Sequence, residues 1–336
     1  MLDELAGRRV TLRHRIAPDG APGPRFSDAV GELTPHGADA VLVHTRSGAV
    51  RVSRDAVVAV REVPPAPPRR ASRAAVERLE RIRSDAWPAP VREELGHWQL
   101  RAAGGYTRRA NSTLVTGDPG IPLGDALARV RAFARDHGIA PAVQTPIGSP
   151  WSNRILDAGW HVVPEWGGEC RVLVAPAGSG EGAPDWPATP PDAWWDAQEG
   201  PAPALGSPAW AVLTGGAQSK AAPEGCLLTP GTQSKATPDT PSAVGFGMIN
   251  SVDGVPAAAV RAAVVGEHVY VARLHVRPAH RRQGLAVRLT RAAQAWGAVR
   301  GARHALLDVA GDNTAAQALY TREGWTEHHR YHYLAP

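Results

Sequence analysis

Residues 269–286 read VYVARLHVRPAHRRQGLA. The first eight are β-formers bounded by Pro278, which predicts a strand and then a turn. From Leu285 onward, Leu289, Ala292, Trp296 and Val299 recur at helical spacing, so Arg281, Arg282, Gln283, Gly284, Leu285 and Ala286 form the entrance to an amphipathic helix. A helix start carries unpaired N–H groups and the positive end of the macrodipole, so a turn rich in Arg and Gly there forms a cradle for phosphate. Gly284 removes the Cβ that would block the approach. No G-x-x-x-x-G-K-S/T run and no G-x-G-x-x-G run after a strand exists in the chain, which excludes two commoner nucleotide cradles.

Downstream, a strand from Ala305 to Val309 is expected, then a helix containing Asn313, Ala316, Leu319 and Tyr320, then Gly324-Trp325. The earlier chain repeats this order. A helix with Leu123, Leu127, Val130 and Ala134 closes at Gly138, a strand spans 142–145, a short helix runs from Trp151 to Ala158, and Gly159-Trp160 follows. The step from the helix-ending Gly to the Gly-Trp pair is 21 residues in the first copy and 23 in the second, so one supersecondary plan is used twice. In the first copy the cradle is replaced by Gly117-Asp118-Pro119-Gly120, without Arg, and no Tyr precedes Gly159. No cofactor is expected there.

With Arg281, Gly284 and Ala286 at the spacing Arg or Gln, x, x, Gly, x, Gly or Ala, and with Asn313, Ala316, Leu319, Tyr320, Gly324 and Trp325 following in order, the chain resembles the GNAT N-acetyltransferases. The likeness extends to a group with an SH3-like barrel and two GNAT-like halves, described as histone acetyltransferase-like or N-acetylglutamate synthase-like. The resemblance implies an α/β fold with a mixed, duplicated sheet, and acetyl transfer from acetyl-CoA to an amine in a ternary complex. It further implies that the pantetheine arm runs along Leu274, His275 and Val276, that the diphosphate rests on residues 281–286, that Asn313 contacts the coenzyme, and that Tyr320 is the general acid. A rival reading is a non-catalytic acyl-CoA sensor or scaffold whose barrel binds protein or nucleic acid. His275 and Asp308, near the strand ends, are weighed as proton relays. His328, His329 and His332 do not read as a metal site, because strand alternation would turn His329 away from the other two.

The remaining segments set the boundaries. Residues 1–63 alternate apolar and polar positions between Gly31, Gly37 and Gly48, which predicts a small all-β SH3-like barrel. A Pro-rich connector occupies 64–70. Ser72 is the expected N-cap of a helix carrying Ala75, Val76, Leu79 and Ile82, and 97–115 reads as a hairpin turning at Gly104-Gly105. The degenerate half thus covers 71–175 and the catalytic half 244–336. Between them, 176–243 is crowded with Pro, Gly, Ser and Thr, with the near-copies 218–221 and 233–236, while Trp194, Trp195 and Trp210 argue that parts of 187–214 pack.

Composition narrows the partners. Over 336 residues, 43% hydrophobic and 21% charged, a packed core is expected and wholesale disorder is excluded. Cys170 and Cys226 stand alone, so no zinc cage or disulfide framework is available. Absence of a long apolar run and of a leader-like start points to the cytoplasm and away from a membrane. The net charge of +5 rests on Arg, since Lys220 and Lys235 are the two lysines. Residues 270–336 hold ten Arg against Asp308, Asp312, Glu323 and Glu327, which suits a local anionic ligand better than a long polyanion. The barrel has eleven Arg and eight acids through residue 70, too even a balance for DNA. A protein partner is left open to it. The expected ligands are acetyl-CoA and an amine, with no metal.

Overall fold

The computed structural model describes residues 2–16, 24–45, 48–63, 71–166, 168–215 and 241–336. The connector at 64–70 and both near-copies around Lys220 and Lys235 lie outside the described residues. Two compact units are present, residues 1–69 and 70–336. Among the described residues no helix is long and apolar enough to cross a membrane.

The first unit is an antiparallel sheet of β1 (Arg9–Arg15), β2 (Phe26–His36), β3 (Ala40–Thr45), β4 (Gly48–Ser53) and β5 (Val57–Glu62), in the order β4-β3-β2-β1-β5. Alternation does what the sequence predicts: Val10 and Leu12 of β1 are buried with Leu33, Val41, Val43 and Val52, while Arg13 faces outward to Asp28.

The second unit begins with α1 (Arg73–Ala86), whose N-cap Ser72 accepts from the Ala75 amide as expected. There follow β6 (Val91–Leu95), β7 (Trp98–Ala102), β8 (Thr113–Val115), α2 (Leu123–Asp136), β9 (Val143–Pro146), α3 (Pro150–Asp157), β10 (His161–Val162) and β11 (Glu169–Pro176). Two short helices, α4 (Asp192–Gln198) and α5 (Pro208–Thr214), precede β12 (Ala243–Asn250), β13 (Pro256–Val265), β14 (His268–Val276), α6 (Leu285–Ala298), β15 (His304–Ala310), α7 (Thr314–Arg322) and β16 (Thr326–Ala335). The expected hairpin at Gly104-Gly105 is displaced. The tight turn falls at Gly96-His97, between β6 and β7, and β7 pairs β8 across a long loop. The cause is Asn111, whose Oδ1 accepts from the amides of Ala103 and Gly105 while its Nδ2 donates to the carbonyls of Tyr106 and Thr107. Those bonds hold 103–112 as a loop rather than a strand pair.

The strands form one mixed sheet in the order β12-β13-β14-β15-β11-β16-β9-β8-β7-β6, with β10 on β16. The duplicated plan is visible in β8-α2-β9-α3 and β14-α6-β15-α7, because β8 with β9 and β14 with β15 are the parallel pairs. Closing strands are exchanged. β11 ends the first copy yet lies between β15 and β16 of the second, and β16 reaches back to pair β9 and β10. Neither half completes its sheet alone.

Around β13 the layers are explicit. Val260, Ala262 and Val264 belong to the core with Leu289 and Trp296 of α6, while Ala259 and Ala263 face Leu79 of α1 and Trp194 of α4. Gly297 lets α6 approach β14, since a Cβ there would come within 2.5 Å of the Val269 side chain. Packing of 187–214 matches its tryptophans: Trp194 is fully buried and donates to the Val260 carbonyl at 3.0 Å.

A buried ionic cluster joins the copies. Arg83 and Glu80 of α1 are both fully buried and paired, and Arg83 Nη2 reaches Asp308 Oδ1 of β15 at 2.7 Å. Removing one member of such a cluster leaves its partners charged in a medium that solvates them poorly. Arg83→Leu should therefore destabilise the second unit by roughly 3–5 kcal/mol. A urea unfolding midpoint that does not move would contradict this account, and Asp308→Asn in the same background should recover part of the loss.

Candidate functional site

The site begins where hydrogen bonding between β14 and β15 stops. The parallel register runs from His268 opposite His304 to Val271 opposite Leu307, and beyond it the two strands part. A bulge in β14 accompanies the separation, because Ala259 faces His275 whereas Arg261 faces Ala272. Arg273, inside the bulge, has φ +55°. The opening between the strands is a cavity of about 320 Å³ lined by Leu274, Val276, Ala286, Val309, Asn313 and Tyr320, among others.

At one end of this wedge lies the Arg-rich turn. Pro278–His280 make a single 3-10 turn, Arg281 Nε donates to the Val276 carbonyl at 3.2 Å, and Arg282 and Gly284 both adopt positive φ, +63° and +75°. Gly284 is the N-cap of α6 with no side-chain cap, and the first helical bond runs from the Arg288 amide to the Gly284 carbonyl. The amides of the first turn therefore have no acceptor within the helix. A Cβ on Gly284 would meet nothing within 4 Å, so on this side the turn is open. Arg281, Arg282 and Gln283 are exposed, while Leu285 sends its side chain into the core. An anionic group suits these donors.

Within the wedge, Asn313 Oδ1 accepts from the Ala316 amide at 3.1 Å, capping α7 while still lining the cavity. Tyr320 is buried, its ring edge-on to Trp325 at 5.6 Å, with Thr290 in hydrogen-bond contact. Burial pushes its phenol up to about 12 against the smaller opposing effect of Thr290, so it holds its proton throughout the neutral range. Leu274, Val276, Ala286, Asn313 and Tyr320 thus meet at one cavity, to which Arg281 is tied through the Val276 carbonyl. The side chain of His275 goes elsewhere: its Nε2 lies 3.0 Å from Glu199 Oε2 at the end of α4.

On the opposite wall, the 104–112 stretch was legible as a possible neighbour of the site, but its ion pairing was not. Arg109, in the loop held by Asn111, donates to Asp308 and to the Tyr270 hydroxyl, and Tyr270 donates to Asp308 Oδ2 at 2.6 Å. Burial alone would raise Asp308, but Arg109 and Arg83 together outweigh it and hold the carboxyl below its ordinary range. A carboxylate so committed is a poor proton acceptor, which removes Asp308 as a relay. Residues 109 and 308 are 199 apart in sequence, and no local pattern announces such a pair. Thr107, Arg108, Arg109, Tyr270 and Arg273 help line a second cavity of about 400 Å³, which shares Val271–Arg273 and Asp308 with the first.

The histidines correct an expectation. β11 pairs Val172 with His329 and Leu173 with Glu327, so His328 sits in a bulge and simple alternation fails. The rings of His328 and His329 lie 5.1 Å apart, His329 Nε2 is 2.6 Å from Glu80, and His332 Nε2 is 2.8 Å from the Ser152 hydroxyl. Among the described residues no group of three or more His, Cys, Asp or Glu could hold a metal. The first copy has its own opening, about 610 Å³, where β8 and β9 part, lined by Thr116, Gly117, Ile147 and Trp151.

Comparison with known proteins follows the same division. The family model described as "Probable histone acetyltransferase Rv0428c C-terminal" matches residues 73–334, and "Rv0428c N-terminal Sm-like domain" matches 5–61. The chain is 22% identical over 267 residues to the "Uncharacterized N-acetyltransferase YobR" of Bacillus subtilis, covering 77% of this chain and 97% of that one. It is 40% identical over 109 residues to the "Probable histone acetyltransferase Rv0428c" of Mycobacterium tuberculosis, covering 32% of this chain and 34% of that one. A solved GCN5-related N-acetyltransferase from Kribbella flavida aligns with TM-score 0.45 at 19% identity, over 79% of this chain and 94% of that one.

The turn yields a direct test. Gly284→Glu places a carboxylate among the donors and a Cβ on a left-handed residue. Titration calorimetry with acetyl-CoA should show affinity lowered at least about 100-fold, as expected when a charge-assisted contact is replaced by like-charge repulsion. Retained affinity would move the anion site away from residues 281–286.

Proposed function

Because the chain belongs to the family described as Rv0428c-type probable histone acetyltransferases, with that family's Sm-like domain ahead of its acyltransferase region, we propose that it transfers an acetyl group directly from acetyl-CoA to an amine at the wedge between β14 and β15. It is a GNAT-type N-acyltransferase, and members of that superfamily use acetyl-CoA as cosubstrate. The observation that carries the reading is the coincidence, in one cavity, of a donor-rich helix start, two strands that part, and a buried protonated phenol.

In this reading the amides of 284–287 and the guanidinium groups of Arg281 and Arg282 hold the diphosphate. The free edge of β14 from Leu274 to Val276 accepts the pantetheine arm as a further strand would be accepted. The amine nitrogen attacks the thioester carbonyl, a main-chain N–H near Val276 steadies the oxyanion, and the C–S bond then breaks. Tyr320 donates its proton to the departing thiolate, and the nitrogen loses its own to solvent. The first copy, without the Arg turn or the Tyr, takes no coenzyme and supplies a wall. The Sm-like unit is accessory to the chemistry, and a protein is its proposed partner. Nucleic acid and membrane are not proposed.

Tyr320→Phe should lower kcat for thiol release by about 10²–10⁴-fold with little change in acetyl-CoA affinity, the range expected for loss of a general acid. Since the phenol keeps its proton to about pH 12, wild-type turnover should show no decline attributable to it as pH rises from 7 to 10. If acetyl-CoA binds yet no amine in a broad panel releases thiol, the sensor reading replaces the enzyme.

A further inference from the structure

Helix α4 grips the bulge from which the wedge opens, and it does so on both strands. Ala259 faces His275 and Arg261 faces Ala272, so Arg273 and Leu274 together oppose Val260. Trp194 Nε1 donates to the Val260 carbonyl at 3.0 Å, and one helical turn on, Gln198 Nε2 donates to the Arg273 carbonyl at 2.7 Å. Just past the helix, Glu199 Oε2 lies 3.0 Å from His275 Nε2, and its Oε1 lies 3.6 Å from Arg277 Nε. Residues 273, 275 and 277 are thus all held from the end of α4, and all lie beyond Val271, where pairing with β15 ends.

That grip is directed at a strained residue. Arg273 has φ +55° in a bulge, a place where the left-handed region ordinarily calls for glycine. Such a conformation persists where the surroundings over-determine it. Here the anchor is rigid: Trp194 is fully buried, edge-on to Trp195 at 4.8 Å and to Phe246 at 5.2 Å, and Gln198 is itself buried. The consequence reaches the wedge through the peptide plane. A trans peptide group is planar, so a fixed Arg273 carbonyl also fixes the opposite direction of the Leu274 N–H. Leu274 lines the wedge.

Resting on the acetyltransferase reading, we infer that Gln198 is a positioning residue for the coenzyme: it holds the β14 edge from Leu274 to Val276 in the shape that receives the pantetheine arm. The segment between the two copies is then part of the coenzyme site rather than a connector alone. Gln198 lines neither the wedge nor the cavity beside it, so its effect passes through the strand. The effect is also confined to the arm. The nucleotide end rests on residues 281–286, beyond the three residues tied to α4, whereas the arm follows the stretch that α4 shapes.

The test compares acetyl-CoA with 3′-phospho-ADP, the nucleotide end of the coenzyme without its arm, by calorimetry on the full chain. Gln198→Met keeps the side-chain length and removes the donor. It should weaken acetyl-CoA by about 3–10-fold, the worth of one neutral hydrogen bond, and leave 3′-phospho-ADP within about 2-fold. In thiol release the loss should fall on KM for acetyl-CoA, with kcat unchanged. Glycine takes positive φ without strain, so in an Arg273→Gly background the same Gln198→Met step should weaken acetyl-CoA by less than about 2-fold. Equal weakening of both ligands, no weakening of either, or a Gln198→Met effect undiminished in the Arg273→Gly background would each overturn the inference. Where Gln198→Met also lowers the urea midpoint, Gln198→Asn, too short to reach the same carbonyl, takes its place under the same criteria. Failure of the wild-type chain to bind acetyl-CoA is a separate result, which removes the acetyltransferase reading itself.

Discussion

Two parallel strands that stop pairing are the constraint around which this protein is organised. β14 and β15 exchange hydrogen bonds as far as Val271 and Leu307 and then diverge, so the main-chain groups beyond that point need other partners. The bulge in β14 turns one set toward the opening, Arg281 takes the Val276 carbonyl, and the first turn of α6 leaves its amides facing outward. What would be a defect in a sheet is here a largely apolar slot with Arg273, Asp308, Asn313 and Tyr320 as its polar side chains.

Keeping such a slot open requires rigidity on either side. On one face α6 packs closely through Gly297, and Tyr320 and Trp325 fill the far wall. On the other, Arg83, Glu80, Arg109, Asp308 and Tyr270 form a buried set of charges and phenols joining α1 and the 103–112 loop to β15. Each charge in it has an opposite neighbour, so the cluster fixes geometry without leaving an isolated ion in the interior. The exchanged strands β11 and β16 serve the same end. Each covers an edge that its neighbour would otherwise expose, and the two copies become a single sheet.

Duplication followed by divergence explains why the two openings differ in charge at their helix entrances. Both copies part their parallel strands and both have a cavity there. In the first, the helix entrance carries Asp118 and two prolines where the second has Arg281 and Arg282. Helix geometry is preserved and anion attraction is lost. The first copy contributes Thr107, Arg108 and Arg109 to a cavity that it lines together with the second.

The sequence by itself determined the barrel, the repeated helix-strand-helix plan, the Arg and Gly turn at 281–286 and the positions of Asn313 and Tyr320, because each depends on periodicity, capping or turn chemistry within about ten residues. It also marked α4 through its tryptophans. Only the tertiary structure decided that β11 and β16 are exchanged, that the hairpin turns at Gly96 rather than Gly104, that a bulge brings His328 beside His329, and that Asp308 is bound by Arg83 and Arg109. Those features depend on which strands become neighbours and on a side chain such as Asn111 outcompeting a strand ladder. Pairing across 199 or 225 residues leaves no local trace, since any buried carboxylate is satisfied by whichever guanidinium the fold delivers.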